Sequence, residues 1–150
     1  MNTGLPAPAN RPRARVAPSA LALLESARHG LADAEDAPDP GGKYVAAHLA
    51  ALRAAAAVVT AREDPGQGRR RRGPRSVWEL LPRVEPALSE WAAFFAAGAG
   101  KRAAAEAGLP RAVSLREADE LLRDAETFLS LVESALQVPG QSVLPLRTAG

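Results

Sequence analysis

Cysteine is absent from this chain of 150 residues, which excludes a disulfide framework and any thiolate metal site. Aromatic residues make up only 4% of the chain, too few for the branched and aromatic packing of a β-sandwich. Histidine occurs twice, so an enzyme that needs an imidazole as its general base must use His29 or His48. No uninterrupted apolar run approaches the ~20 residues that a membrane span requires. We therefore expect a soluble, cytoplasmic protein.

Alanine supplies much of the hydrophobic fraction, which is 47% of the chain. Alanine has the best intrinsic helix propensity, and its small side chain fills a core only where helices pack closely. No segment has the alternating pattern of a strand, and no internal repeat is present. The composition therefore predicts a single all-α domain, large enough to bury about two thirds of its unfolded surface.

Hydrophobic periodicity predicts four amphipathic segments at about 19–35, 42–63, 76–108 and 114–137, with Ser19, Asp39, Ser76 and Ser114 as N-caps. Proline at two positions interrupts the third segment. Short connections between amphipathic helices favour an antiparallel four-helix bundle, here residues 18–137 with a basic loop at 64–75. The Pro-, Ala- and Arg-rich residues 1–17 and the end of the chain, 138–150, are predicted to be disordered or flexible tails.

The second helix carries an apolar stripe that we expect to face the core. The stripe consists of Val45, Leu49, Leu52, Ala56 and Val59, which recur at helical spacing. Phe94 and Phe95 are adjacent and must point to different sides of their helix. We therefore expect one of them to lie on a second apolar face, available to a dimer contact.

Positive charge is concentrated in two segments. Residues 1–17 hold three arginines and no acid, and residues 65–75 hold five arginines and no acid. The remaining 11 basic residues face 17 acids, so the rest of the chain has a formal charge of about −6. The loop arginines, joined by Arg53 of the second helix, are candidates for salt-sensitive contacts with nucleic-acid phosphates; the alternative is a solvated loop. The candidates in the loop are Arg69, Arg70, Arg71, Arg72 and Arg75.

The stretch "GGKYVAAHLAALRAAAAVV" contains the candidate catalytic residues Lys43 and His48. Histidine suits proton transfer because its pKa lies near neutrality. On a regular helix, however, side chains five residues apart differ by ~140°, so the two converge only at an irregular helix start or across a dimer. The alternatives are a partly buried His48 that is hydrogen-bonded to a neighbouring helix and a solvated Lys43. His29, one turn after Glu25, is predicted to form a surface pair.

The acidic stretch "READELLRDAE" contains interleaved arginines and no E-x-x-H pair, so it is interpreted as a salt-bridged helix surface and no metal site is predicted. Phosphate-binding glycine loops, nucleophile elbows and zinc-ligand spacings are also absent from the sequence. We therefore predict no cofactor.

The strings "AHLAALRAAAAV" and "EWAAFFAAGA", within residues 19–137, resemble an actinobacterial family of small HEPN-domain proteins. The resemblance implies a bundle of four main helices that commonly dimerises. Many such proteins are metal-independent ribonucleases with an Arg-x4-6-His motif, and others bind without catalysis. The nearest counterpart here is Lys43-x4-His48, with lysine in place of arginine. In an active protein His48 would activate a ribose 2′-hydroxyl, while Lys43 and Arg53 would stabilise the phosphorane, leaving a 2′,3′-cyclic phosphate.

Lysine is a point charge and cannot reproduce the planar, bidentate phosphate contact of arginine. We therefore predict a non-catalytic helical module that binds RNA, a nucleotide or a protein partner, and that forms a homodimer away from membranes. The alternatives are a weak metal-independent ribonuclease and a purely structural adaptor.

Overall fold

The structure is a computed structural model in which residues 16–63 and 76–139 are described. All regular structure in these ranges is helical, which confirms the all-α prediction. A 3-10 turn, Pro86–Leu88, connects the third and fourth α-helices. The α-helices are α1 (Pro18–Asp36), α2 (Pro40–Arg62), α3 (Val77–Val84), α4 (Ser89–Ala97), α5 (Ala99–Glu106) and α6 (Leu115–Leu136). Apart from residues 16–17 and 138–139, the predicted tails at 1–17 and 138–150 lie outside the described residues, as does the loop at 64–75.

Capping side chains mark the starts of α2, α3 and α6, as the sequence predicts for Asp39, Ser76 and Ser114. Asp39 caps α2 by accepting a hydrogen bond from the Gly42 backbone N–H, directly before Pro40. The capping box at the start of α6 is complete, with Ser114 and Glu117 each accepting from the other's backbone N–H. The prediction of Ser19 as an N-cap is wrong, because α1 already begins at Pro18 and has no side-chain cap.

The central helix of the bundle is α2, which packs against α1, α3, α5 and α6. Lys43 near its start pairs with Asp119 near the start of α6, and Arg62 at its end donates to the Ala135 carbonyl near the end of α6. These contacts show that α2 and α6 run in the same direction. In a bundle of four alternating segments the second and fourth run parallel in this way.

The buried face of α2 is its alanine face. The alanines at 47, 50, 51, 54, 55 and 57 are at most 1% exposed. Val59 of the predicted core stripe is buried and Leu52 is half-buried against the core, but the prediction is wrong for Val45, Leu49 and Ala56, which are half-buried outside it. The reason is the close approach of α1: a Cβ added to Gly30 would lie only 3.2 Å from the Ala50 Cβ. Helices this close need small side chains between them, so alanines occupy the contact with α1.

By length and composition alone, α2 is apolar enough to cross a membrane. The helix is not an uninterrupted apolar run, since it contains His48 and Arg53, but its alanines raise the mean hydropathy of the segment. More than half of that stretch is buried against the other helices. A core helix meets the same criterion, so the observation is weak evidence for a membrane span.

Candidate functional site

His48 lies in the interior of the bundle and is completely buried. Tyr44, one turn earlier on α2, stacks on its ring at a centroid distance of 6.2 Å. The rings of Trp78 on α3 and Phe95 on α4 meet it edge-on, at 6.1 and 6.0 Å. The sequence therefore places a polar ring among the largest aromatic side chains of the core, and its nitrogens need partners there.

Both ring nitrogens of His48 have hydrogen-bond partners. Nε2 lies 2.8 Å from the Phe95 carbonyl oxygen, which only accepts, so Nε2 carries the proton and donates it. Nδ1 lies 3.2 Å from Nη1 of Arg102, which only donates, so Nδ1 accepts. The two neighbours thus select one neutral tautomer, with its lone pair directed at a guanidinium group.

The electrostatic surroundings keep His48 uncharged. Burial lowers the pKa of His48 below its ordinary value of 6.5, and the positive charge of Arg102 lowers it further. The bond to the Phe95 carbonyl and the carboxylate of Glu106 act in the opposite direction without reversing the shift. His48 is therefore neutral at pH 7.

We expect this lowered pKa to make stability depend on pH in a defined range. As pH falls below 6.5, the unfolded chain protonates at His48 before the folded protein does. The stability that is fully present above pH 6.5 is then lost as pH falls towards the folded pKa, with a slope of at most about 1.4 kcal/mol per pH unit. Urea unfolding of the wild type and His48→Gln between pH 7.5 and 5 should show this slope only in the wild type.

The pH dependence of His48 is separable from that of the carboxyl groups. Burial raises the pKa of Asp124 and of Glu126, so acid favours their folded forms, which is the opposite sign. Both groups are present in the wild type and in His48→Gln, so their contribution is common to the two proteins. An identical slope in the wild type and His48→Gln between pH 6.5 and 5 would contradict the neutral, buried state of His48.

Arg102 is the member of this cluster that sequence reasoning missed. It lies on α5, 54 residues from His48. The feature of the nearby sequence that relates to Arg102 is Glu106, one helical turn later, and the Glu106 carboxylate lies 3.7 Å from the Arg102 Nε. That Nε is buried and has no hydrogen-bond acceptor within the described parts of the chain. Arg102 therefore acts mainly as the donor that fixes the His48 tautomer.

The two lysines of the protein lie near the start of α6, and each is ion-paired. The ammonium of Lys43 is 2.8 Å from Asp119, and that of Lys101 is 2.9 Å from Glu117. The pKa of Glu117 is lowered by the Ser114 backbone N–H in the capping box and next by Lys101. The acids of α6 were expected to pair with arginines of the same helix. Two of them instead connect α6 to α2 and α5.

The three residues that the sequence suggested for catalysis face different neighbours. Lys43 reaches α6, His48 contacts α4 and α5, and Arg53 lies against α1, where its Nη1 is 3.7 Å from a Cβ built on Gly30. The structure does not bring them together within one chain. Of the predicted nucleic-acid contacts only Arg53 is described; Arg69, Arg70, Arg71, Arg72 and Arg75 lie outside the described residues.

Two minor expectations from the sequence concern the environment of His29 and metal binding. His29 is exposed, and its Nε2 lies 3.5 Å from a carboxylate oxygen of Glu25, as predicted from their spacing. Residues 16–63 and 76–139 contain no group of three or more histidine, aspartate or glutamate side chains placed to hold a metal ion.

Comparison with known protein families decides the classification. A family model described as SAV_6107-like HEPN matches residues 34–133, about two thirds of the chain. The chain belongs to this HEPN family. The match covers α2 to α5 and most of α6, and therefore includes the His48 cluster of this HEPN module. Comparisons with curated proteins and with solved structures gave no match.

Proposed function

We propose that this HEPN module is not catalytic and acts by binding another molecule. The observation that carries the proposal is the state of His48, which is fully buried with both nitrogens hydrogen-bonded. His48 is also the residue that the ribonuclease hypothesis requires, since it is the histidine of Lys43-x4-His48, the nearest counterpart of the motif of active HEPN proteins.

A general base for transesterification must reach the ribose 2′-hydroxyl through a free lone pair. The Nδ1 lone pair of His48 is directed at Arg102, and Nε2 is bonded to the α4 backbone. Freeing either nitrogen would leave a buried polar group unpaired, at a cost of about 1–3 kcal/mol. The cation that would stabilise the phosphorane, Lys43, is held by Asp119 on a different side of α2.

The charge distribution favours a protein as the bound molecule. Outside the two arginine-rich segments the chain has a formal charge of about −6, which repels nucleic-acid phosphates. Contact with RNA or a nucleotide would depend on arginines beyond the described residues and stays a prediction. A homodimer stays a prediction in the same way, and the purely structural adaptor remains the alternative in which the arginine-rich segments only increase solubility.

The test is incubation of purified protein with RNA in the presence of EDTA, comparing the wild type with His48→Gln. We expect no cleavage above background by either protein at micromolar concentration, because the wild-type ring has no free lone pair that reaches solvent. His48→Gln is chosen because glutamine can retain a donor for the Phe95 carbonyl. RNA fragments ending in 2′,3′-cyclic phosphate that form with the wild type and not with His48→Gln would overturn the proposal.

A further inference from the structure

A groove between α4 and α6 is lined by exposed and half-buried aromatic and acidic side chains. Phe94 is 46% exposed, and with Glu90, Trp91 and Asp124 it lines a cavity of about 320 Å³. We call these four residues the aromatic–acidic surface. A neighbouring cavity of about 170 Å³ shares Phe94 and Asp124 with it and extends along α6 to Glu117. The two cavities together form an elongated depression.

The aromatic rings of this surface are fixed by the core behind them. Trp91 stacks on the buried Phe95 at a centroid distance of 6.0 Å and also contacts Phe128 of α6 at 5.7 Å. Phe94 meets the rings of Trp91 and Phe95 edge-on, at 6.2 and 5.0 Å. A ligand that stacks on these rings therefore finds them already positioned and loses little side-chain entropy in ordering them.

The carboxylates of this surface have no ion-pair partner. Within the described residues neither Glu90 nor Asp124 forms an ion pair, whereas Glu117 and Asp119 of α6 are each paired with a lysine. Burial, followed by the negative charge of Glu120, raises the pKa of Asp124 above its ordinary value, and the positive charge of Arg123 acts in the opposite direction without reversing the shift. An added cation would offset the remaining shift, so this part of the groove favours positive charge.

We propose that the aromatic–acidic surface binds an extended, arginine-bearing segment of a partner protein. A guanidinium group stacks on the rings of Trp91 and Phe94 and donates hydrogen bonds to Glu90 and Asp124. Arginine fits better than lysine because its planar group can stack on an aromatic face and bond a carboxylate through two N–H groups at once. The negative charge of the bundle adds a long-range attraction for a basic segment.

Two other occupants fit this surface less well. In a symmetric dimer through the same surface, Glu90 and Asp124 of both copies would meet, and like charges would oppose association. Nucleic acid would bring phosphates against the same carboxylates. The arginines of this chain at residues 69–72 are a third occupant, and the experiment below separates them from a partner.

The inference deepens the proposed function, since it names the partner of a binding module, but it does not depend on the absence of catalysis.

The probe is a labelled, end-capped peptide of alternating arginine and glycine with four arginines, titrated into the full chain and followed by fluorescence anisotropy. We expect Glu90→Gln combined with Asp124→Asn to weaken binding at least tenfold. This corresponds to about 1.4 kcal/mol, the scale of a charge-assisted hydrogen bond.

The matched control is Asp33→Asn combined with Glu35→Gln on α1, which removes the same two charges elsewhere and should change the affinity less than twofold. Phe94→Ala should weaken binding about threefold by removing an exposed cation–π contact. Leu21→Ala, which truncates a side chain of similar exposure (43%), should have no effect. Circular dichroism confirms that each variant is folded.

Four outcomes would overturn the inference. Equal losses in the two double variants would show a general charge effect, and equal affinity for the matching lysine peptide would remove the guanidinium specificity. Binding that appears only after the arginines at 69–72 are replaced by serine would assign the surface to the chain's own segment. Sedimentation showing a dimer that Phe94→Ala dissociates would assign it to a second copy. RNA cleavage would overturn the proposed function and leave this inference standing.

Discussion

Replacing His48 with alanine is expected to lower the free energy of unfolding by about 3 kcal/mol. The ring is completely buried among Tyr44, Trp78 and Phe95, so its removal leaves a cavity in the aromatic part of the core. The Phe95 carbonyl and the Arg102 guanidinium lose their partner at the same time. The two contributions have the same sign, and equilibrium urea unfolding at pH 7.5 measures their sum.

Two variants show whether the loss comes from this environment. His48→Gln keeps much of the volume and can donate to the Phe95 carbonyl, so it should recover about half of the loss. His29→Ala removes the other histidine, which is exposed, and should change the free energy of unfolding by less than about 0.5 kcal/mol. A His48→Ala variant as stable as His29→Ala would mean that the ring is not buried, and the case against catalysis would fail with it.

Much of the fold could be predicted from the sequence because its signals are local. Alanine content determines the helical class, and the pairs Asp39–Pro40 and Ser114–Glu117 mark helix starts within a few residues of chain. The orientation of α2 could not be obtained in this way. Its larger side chains suggested one buried face, but the close packing of Gly30 against Ala50 selected the alanine face instead. The buried face of α2 therefore depends on its contact with α1, and the hydrophobic periodicity of α2 carries no information about that contact.

The candidate site was the least predictable part because its contacts join distant residues. His48 is bonded to the backbone of Phe95, 47 residues away, and Lys43 is paired with Asp119, 76 residues away. Spacing along one helix correctly indicated that Lys43 and His48 diverge, and it favoured a buried His48 bonded to another helix. It could not identify Arg102, since arginine in an alanine-rich helix has no distinguishing pattern.

The ion pair between Arg28 of α1 and Glu133 of α6 gives the second large expected effect. The Arg28 Nε and Nη2 lie 2.9 and 2.8 Å from the same carboxylate oxygen of Glu133, whose side chain is only 9% exposed. Arg28→Ala leaves this carboxylate buried with no other cation in the described residues. We expect a loss of about 3 kcal/mol in the free energy of unfolding, since breaking a buried pair costs far more than breaking a surface pair.

The reciprocal variant should cost less, and this asymmetry is the sharper test. After Glu133→Ala, Arg28 still has Glu25 at 3.4 Å and the Pro139 carbonyl at 3.5 Å, and its side chain is 17% exposed. A loss of about 1.5 kcal/mol is expected, because the remaining cation can turn towards Glu25 and water. Urea unfolding of both single variants and the double variant completes a double-mutant cycle, in which the double variant should be more stable than Arg28→Ala alone. Equal costs for the two single variants would mean that the Glu133 carboxylate is hydrated once Arg28 is removed, and would contradict the buried state of this ion pair.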